Sequence, residues 1–488
     1  MAVSPADVRA IVDRVCARPE VMDACSRRDL GMVINALCSG PRGAKLTQGK
    51  ISELTGFPQG RLSEWATGKR RPQAATTFQQ FADGVGMPPA ARRALGLAGD
   101  PPPSAAAAPA APALLVPYPR TSSDAVGKVS NLWHADLSDA GALQRGKADP
   151  RAWADASLQW LIDPGQMPRN QPARGARIGI SDVERFQATV DMFAALDDRY
   201  GGGHARQALI QYLSTDAERM MNGTYSEETG RALFTAVGAA TLLAAWMSYD
   251  SAPASALAQG YFVQALALAQ AGSDRVLGAS ILDAMSHQAT YTGRFTEAAS
   301  LARAALTGTR GIATPSLTAH FHTMEARALA RLGDARACEQ ALSEGVREFE
   351  RASTEDNPPW FQYFSESELS AEFGHCMRDL GKSSDAIRYA GSSLAADGSG
   401  GFTRSEFFVS LVLADGHLAA GDAEQACSVV LHALTAGEQI RSARCVGYLR
   451  DFTRRLPAAS SGAIADFREQ AAGSRLWRIA SQADRPAS

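Results

Sequence analysis

The sequence predicts an all-α protein: a basic helical head, a Pro/Ala-rich linker and a long body of repeated helical hairpins. Three observations carry this. Alanine and leucine dominate a chain that is 45% hydrophobic and only 7% aromatic, which favours helix and supplies material for more than one core. Residues 46–72 read as two short helices around a tight turn. Further on, Gly293, Gly333, Gly381 and Gly421 recur with small residues at fixed offsets on either side. At 488 residues, two or three domains are expected.

The stretch 46–72 is the most specific local signal. Thr47 places a hydroxyl where it can cap a helix, and Ile51 and Leu54 recur three residues apart on its inner side. Gly56 supplies the turn, because a positive φ costs glycine little. Pro58 suits the first position of a second helix, where its missing N–H has no partner to lose. Leu62 and Trp65 form that helix's buried stripe, leaving Gln59, Gly60, Ser63 and Glu64 facing away from the core. The pattern is that of a helix-turn-helix with Gln59 to Thr67 as its recognition helix. Charge agrees: residues 1–98 hold three lysines and eleven arginines against five aspartates and three glutamates, a net +6, which leaves −8 for the remainder of a chain at −2. A basic head on an acidic body fits a DNA-contacting unit joined to one that avoids DNA.

Gln48, the Ile51/Leu54 pair, Gly56, Gln59, Leu62, Trp65 and the exit Gly68-Lys69-Arg70-Arg71-Pro72 together resemble the lambda-repressor-like (Cro/C1, or XRE) class of bacterial DNA-binding domains. The resemblance implies that Gln48 holds a phosphate from a helix start, and that Gln59, Gly60 and Glu64 face base edges in the major groove. Gln59 would pair with adenine and Glu64 would accept from a cytosine amine. Gly60 departs from the pattern, having no side chain to reach a base. Arg61 would meet either a phosphate or a guanine, and Ser63 shares the same outer face. Lys50, Lys69, Arg70 and Arg71 would neutralise phosphates, which sets register without reading sequence. Further helices are expected at 1–23 as a lead-in, at Arg27 to Leu37, at Thr76 to Val85 and at Ala90 to Leu97.

From 99 to 120 proline and alanine are too dense to pack a core, so this segment reads as a semi-rigid linker. Residues 121–228 form a helical connecting region, weakly patterned as far as 180, with Trp133, Trp153 and Trp160 as signs of packing. Within it, Ser181 to Arg199 opens on a Ser181-Asp182-Val183-Glu184 capping box, and Ala205 to Met221 follows a Gly201-Gly202-Gly203 turn. That turn has neither a preceding strand nor a phosphate-binding lysine, so it reads as a flexible connection.

Over 229–475 the chain repeats. Seven residues before the four glycines stand Ser286, Ala326, Gly374 and Ala414; five after, Ala298, Cys338, Ala386 and Ala426; twelve after, Ala305, Gly345, Ser393 and Ala433. Small side chains there let paired helices approach closely and stack on the next pair. This resembles tetratricopeptide repeats, with glycine spacings of 40, 48 and 40 residues and an insertion at 353–362 containing Asn357-Pro358-Pro359-Trp360. The units at 229–271 and 441–475 fit less well, and 476–488 is expected to be a disordered tail. The expected architecture is thus a five-helix helix-turn-helix domain, a Pro/Ala linker and a tetratricopeptide-like α-solenoid.

In such arrays the first helix of each unit lines a concave groove. Carried over by offset, this places Ser280, Asp283, His287 and Thr290, then His320, Thr323 and Arg327, then Glu368, His375 and Arg378, and finally Asp415 on that wall. The mix of both charges suits a peptide or protein segment better than an apolar ligand, and a peptide, small-molecule or protein effector is expected there. No His pair at helical spacing or HExxH occurs, so no metal or cofactor is expected, and neither a GxSxG nor a P-loop points to an enzyme. Seven scattered cysteines without a CxxC read as small buried hydrophobes in a reducing cytoplasm. The chain is expected to be soluble and cytoplasmic, nucleoid-associated when on DNA, with no membrane association.

The two-part layout resembles peptide-pheromone regulators of Gram-positive bacteria and actinobacterial developmental and antibiotic regulators. The first group clamps peptides with asparagines, whereas Asn357 is the only asparagine from 229 onward. The Asp-Asp-Arg-Tyr-Gly-Gly-Gly-His-Ala run and the Pro-Pro-Trp segment resemble the second. The expected function is a homodimeric transcription regulator that binds a double-stranded DNA operator. The alternative is a repeat scaffold whose head docks protein.

Overall fold

The computed structural model describes residues 5–39, 45–72, 75–95, 97, 117–162, 175–253, 255–353, 356–396, 404–457 and 462–482. Among them every regular element is helical, apart from two isolated bridges, Lys147 with Ser255 and Arg177 with Thr224. The chain forms two compact units, Met1–Pro112 and Ala113–Ser488. Most of the expected linker, 98–116, lies outside the described residues.

The first unit contains α1 (Pro5–Cys16), α2 (Pro19–Ser26), α3 (Leu30–Cys38), α4 (Gln48–Thr55), α5 (Gln59–Ala66), α6 (Ala75–Val85) and α7 (Pro89–Ala94). Two more helices belong to it than the five expected. The supposed lead-in folds as α1 and α2, whose Val12, Val15, Val21 and Cys25 share one core with Leu30, Ile34, Leu62 and Phe81. The helix expected from Arg27 starts at Leu30 instead, because the Asp29 carboxylate accepts from Met32 N at 3.1 Å, behind an Arg28 at φ +55°.

The second unit opens with α8 (Ser122–Arg145), α9 (Pro150–Ile162), α10 (Ile180–Tyr200), α11 (Arg206–Tyr212), a π-helical turn (Leu213–Ala217) and α12 (Glu218–Met221). Trp133, Trp153 and Trp160 are fully buried, so this connecting region is part of the same core as the repeats. Trp160 enters the notch left by Gly278 and Gly308, with Arg275 3.8 Å above its ring. The capping box lies elsewhere than expected: Asp182 accepts from Gly179 N at 2.8 Å, so α10 begins before Ser181.

Five helical pairs follow: α13 (Glu227–Ser251) with α14 (Ala256–Ala271), α15 (Arg275–Tyr291) with α16 (Phe295–Gly308), α17 (Pro315–Leu332) with α18 (Ala335–Glu350), α19 (Glu366–Asp379) with α20 (Ser383–Ala396), and α21 (Arg404–Ala419) with α22 (Ala423–Ala436). Then come α23 (Ala443–Arg455), α24 (Gly462–Ala471) and α25 (Arg475–Gln482). The expected disordered tail is therefore helical as far as Gln482, because Leu476, Trp477 and Ala480 bury against Phe467 and its neighbours. Gly293, Gly333, Gly381 and Gly421 turn their pairs with φ between +73° and +87°, a region L side chains resist. All twelve small residues at the fixed offsets are buried at helix contacts.

The odd-numbered helices α13 to α23 each pack on the next, and α23 packs back on α13. Six helices thus form a closed inner ring, where an open concave groove was expected. One helix, α13, is long and apolar enough to cross a membrane by length and composition. Most of it is buried inside this fold, between α10, α14 and α15.

Candidate functional site

In the first unit, α4 and α5 are set by local chemistry. Thr47 accepts from Lys50 N at 3.1 Å, Gly56 turns the chain at φ +72°, and Ser52 donates to the Phe57 carbonyl at 2.6 Å. Phe57 meets Trp65 edge-on with ring centroids 5.0 Å apart. Leu62 and Trp65 are buried. A Cβ added at Gly31 would stand 2.2 Å from the Trp65 carbonyl oxygen, so only glycine lets α3 and α5 meet this closely.

What remains outward is the expected set. Gln59, Gly60, Arg61, Ser63, Glu64, Lys69, Arg70 and Arg71 are exposed, and Gln48 and Lys50 are half-buried at the start of α4. Two of these are already engaged: Lys50 pairs with Glu53 at 2.7 Å, and Arg70 lies 3.9 Å from Glu64. Both pairs face solvent, where such contacts are worth little and exchange readily for a phosphate. Beside the exit lies a cleft of about 280 Å³ lined by Arg28, Asp29, Asn35, Trp65, Arg70 and Arg71.

In the second unit the inner helices are joined by a circuit of polar contacts. The Tyr249 hydroxyl of α13 is 2.9 Å from His287 Nδ1 of α15. Asp283 of α15 faces His320 of α17 at 3.1 Å. Arg327 of α17 donates to Glu372 of α19 at 3.0 Å. Arg378 of α19 lies 3.7 Å from Asp415 of α21, and Arg455 of α23 donates to that same carboxylate at 2.9 Å. Arg444 of α23 closes the circuit by donating to Asp250 of α13 at 3.1 Å.

Asp250 is the joint. It also accepts from Ser442 Oγ at 2.7 Å and Gly202 N at 3.1 Å, and Arg404 lies 3.3 Å away. Burial opposes its charge, but Arg404, Arg444 and the two hydrogen-bond donors outweigh that and hold its carboxyl below the ordinary range. The Gly201-Gly202-Gly203 turn is therefore no loose connection. A Cβ at Gly202 would stand 2.5 Å from the Met247 carbonyl oxygen, so glycine is what lets this turn approach α13.

Of the residues expected to line the groove, Asp283, His287, His320, Arg327, Arg378 and Asp415 stand in this circuit. Glu368 is half-buried. Burial disfavours a charge on His320, yet Asp283, Glu372 and Glu368 prevail and raise it above the ordinary imidazole value. Thr323 does not line the interior. It is fully buried, donates to the His320 carbonyl at 2.7 Å, and its methyl group faces Gly345 of α18. Ser280 and Thr290 are half-buried. The described part of the insertion packs on α17: Asn357 accepts from Thr314 at 3.0 Å, and Phe361, with Tyr363 and Phe364 just after the insertion, rings His320 at centroid distances of 5.5, 6.2 and 4.9 Å.

Nothing in the sequence pattern marks Trp246, Tyr249, Asp250, Glu372, Arg404, Arg444 and Tyr448. Trp246, Tyr249 and Asp250 belong to a helix whose pair lacks the turn glycine, and Arg444 and Tyr448 to the irregular last unit, so offset gave no purchase on them. Among the described residues no group of three or more His, Cys, Asp or Glu is placed to hold a metal. All seven cysteines are free and six are buried. No protein-family model matches the chain, and no curated protein matches it.

Proposed function

We propose that the chain is a DNA-binding transcription regulator: its head a lambda-repressor-like helix-turn-helix domain, its body a tetratricopeptide-like array that dimerises or senses an effector. The observation that carries this is the division of α5. Leu62 and Trp65 are buried, while Gln59, Arg61, Ser63 and Glu64 are exposed beside the basic run Lys69-Arg70-Arg71. A helix two turns long with one apolar and one hydrogen-bonding face, flanked by cations, has the makings of a base-reading element fixed by phosphate contacts. As a dimer it would place two such helices about 34 Å apart, one DNA turn, on a near-palindromic operator. The body would bias DNA affinity through an effector that prefers one of two states.

The test is selection of genomic fragments by the purified full-length protein across a salt series. A recurring palindromic site whose retention falls steeply with salt is the expected result. Failure to retain any DNA at low salt would overturn the reading and favour a head that docks protein.

A further inference from the structure

We propose that the centre of the six-helix ring binds a small organic anion with a flat aromatic body, an aryl carboxylate in kind. Three guanidiniums and two imidazoles define the place. Burial, then Arg327 and Arg444, press His287 well below its ordinary imidazole value, and burial, then Arg327 and Arg378, do the same to His375.

Arg378 gives Nε and Nη2 to Asp379 and its Nη1 stands 3.7 Å from Asp415, whereas the carboxylates paired with the other two guanidiniums leave more of their donors over. A guanidinium carries five N–H donors, and Arg327 meets Glu372 through Nη1 alone, while Arg444 meets Asp250 through Nε. His375 is 5% exposed, and its Nδ1 has no hydrogen-bond partner among the described residues. A polar atom buried this way is costly unless something supplies its partner.

The place is walled by rings. Trp246, His287, Tyr291, Arg378, Phe408 and Tyr448 stand on the inner helices, and each keeps part of its surface accessible. Tyr448 lies 5.0 Å from Phe408 and 6.1 Å from His375, and Tyr249 lies 5.8 Å from Tyr291. Arg444 is 4.7 Å from the Tyr249 ring and 4.6 Å from Phe408. Ring faces around a cationic centre suit a flat apolar body, and spare N–H donors suit its two oxygens.

This deepens the sensing half of the proposed function and is independent of the DNA half. Benzoate, benzamide and benzylamine, one ring bearing a negative, a neutral or a positive group, are titrated into the full-length protein by calorimetry. Benzoate is expected to saturate in the millimolar range or below, with the other two at least tenfold weaker. His375→Phe, which keeps the ring volume, and Arg378→Gln are each expected to weaken benzoate tenfold or more. Glu424→Gln, an exposed change on α22 outside the inner ring, is expected to bind benzoate within threefold of the parent. Circular dichroism identifies any variant that fails to fold. Benzoate binding no tighter than benzylamine, no saturation by benzoate, or unchanged affinity in folded His375→Phe would overturn the proposal. Because binding is read without DNA, its failure leaves the operator selection untouched.

Discussion

Gln59 and Trp65 sit on the same eight-residue helix and face opposite ways, and that difference in burial separates two kinds of mutation. Gln59→Ala is expected to leave the fold alone and relax preference at one base pair, by about 1–3 kcal/mol of discrimination. Arg70→Ala is expected to weaken binding to all sequences evenly and lower the salt slope by about one. If fragment selection shows the same sequence preference and salt slope in both variants as in the parent, the assignment of this face is wrong. In the body, His375 illustrates how burial sets a titration. An unfolded chain protonates this imidazole below about pH 6.5, whereas the folded chain resists, so its stability contribution is full above that pH and lost on acidification. His375→Phe is expected to flatten the acid-side fall in melting midpoint, by up to about 1.4 kcal/mol per pH unit. Asp415 works in the other direction. Burial raises its carboxyl to about 6 against the pull of Arg378 and Arg455, so folding gains stability as pH falls through that value. Asp415→Asn is expected to lose this gain, and parallel pH profiles for variant and parent would refute the assignment.

At the scale of elements, the hairpin turns were legible because glycine at positive φ leaves a mark no other residue leaves. The same is true of the small residues that let paired helices touch. A Cβ on Gly374 would stand 3.2 Å from the Ala390 nitrogen, so Gly374→Leu must force α19 and α20 apart. The expected cost is about 1–3 kcal/mol, with amide exchange accelerating in those two helices before the others. Uniform acceleration across the body would mean the pair is not a local unit. Helices lacking such marks are hidden in the sequence. The two N-terminal helices read as a mere lead-in, since their burial depends on partners in α3, α6 and α7 rather than on their own pattern. The tail helix α25 reads as disorder in the sequence because its few apolar residues find their partners only at Phe452 and Phe467.

At the scale of the whole body, closure of the inner ring rests on one buried carboxylate. Asp250 faces Arg444 and Arg404 with 2% side-chain exposure, and an arginine left without its partner at that depth is poorly solvated. Asp250→Asn is expected to cost about 3–5 kcal/mol and to raise the radius of gyration as α13 and α23 separate. Scattering and melting curves matching the parent would show that other contacts, such as the Tyr291 hydroxyl against Gly447, hold the ring instead.

The sequence by itself determined the helical class, the hairpin register between Gly293 and Gly421, the two-sided character of α5 and most of the inner polar wall. Each of these is written within a turn or two of chain, as a period, a cap or a glycine. Only the tertiary structure decided that the wall closes into a ring, because Ser442 meets Asp250 across 192 residues. That meeting depends on the rotation accumulated over successive hairpins, each set by packing between neighbours rather than by any local pattern. The circuit's last partners, Arg444 and Asp250, become visible only once that rotation is complete.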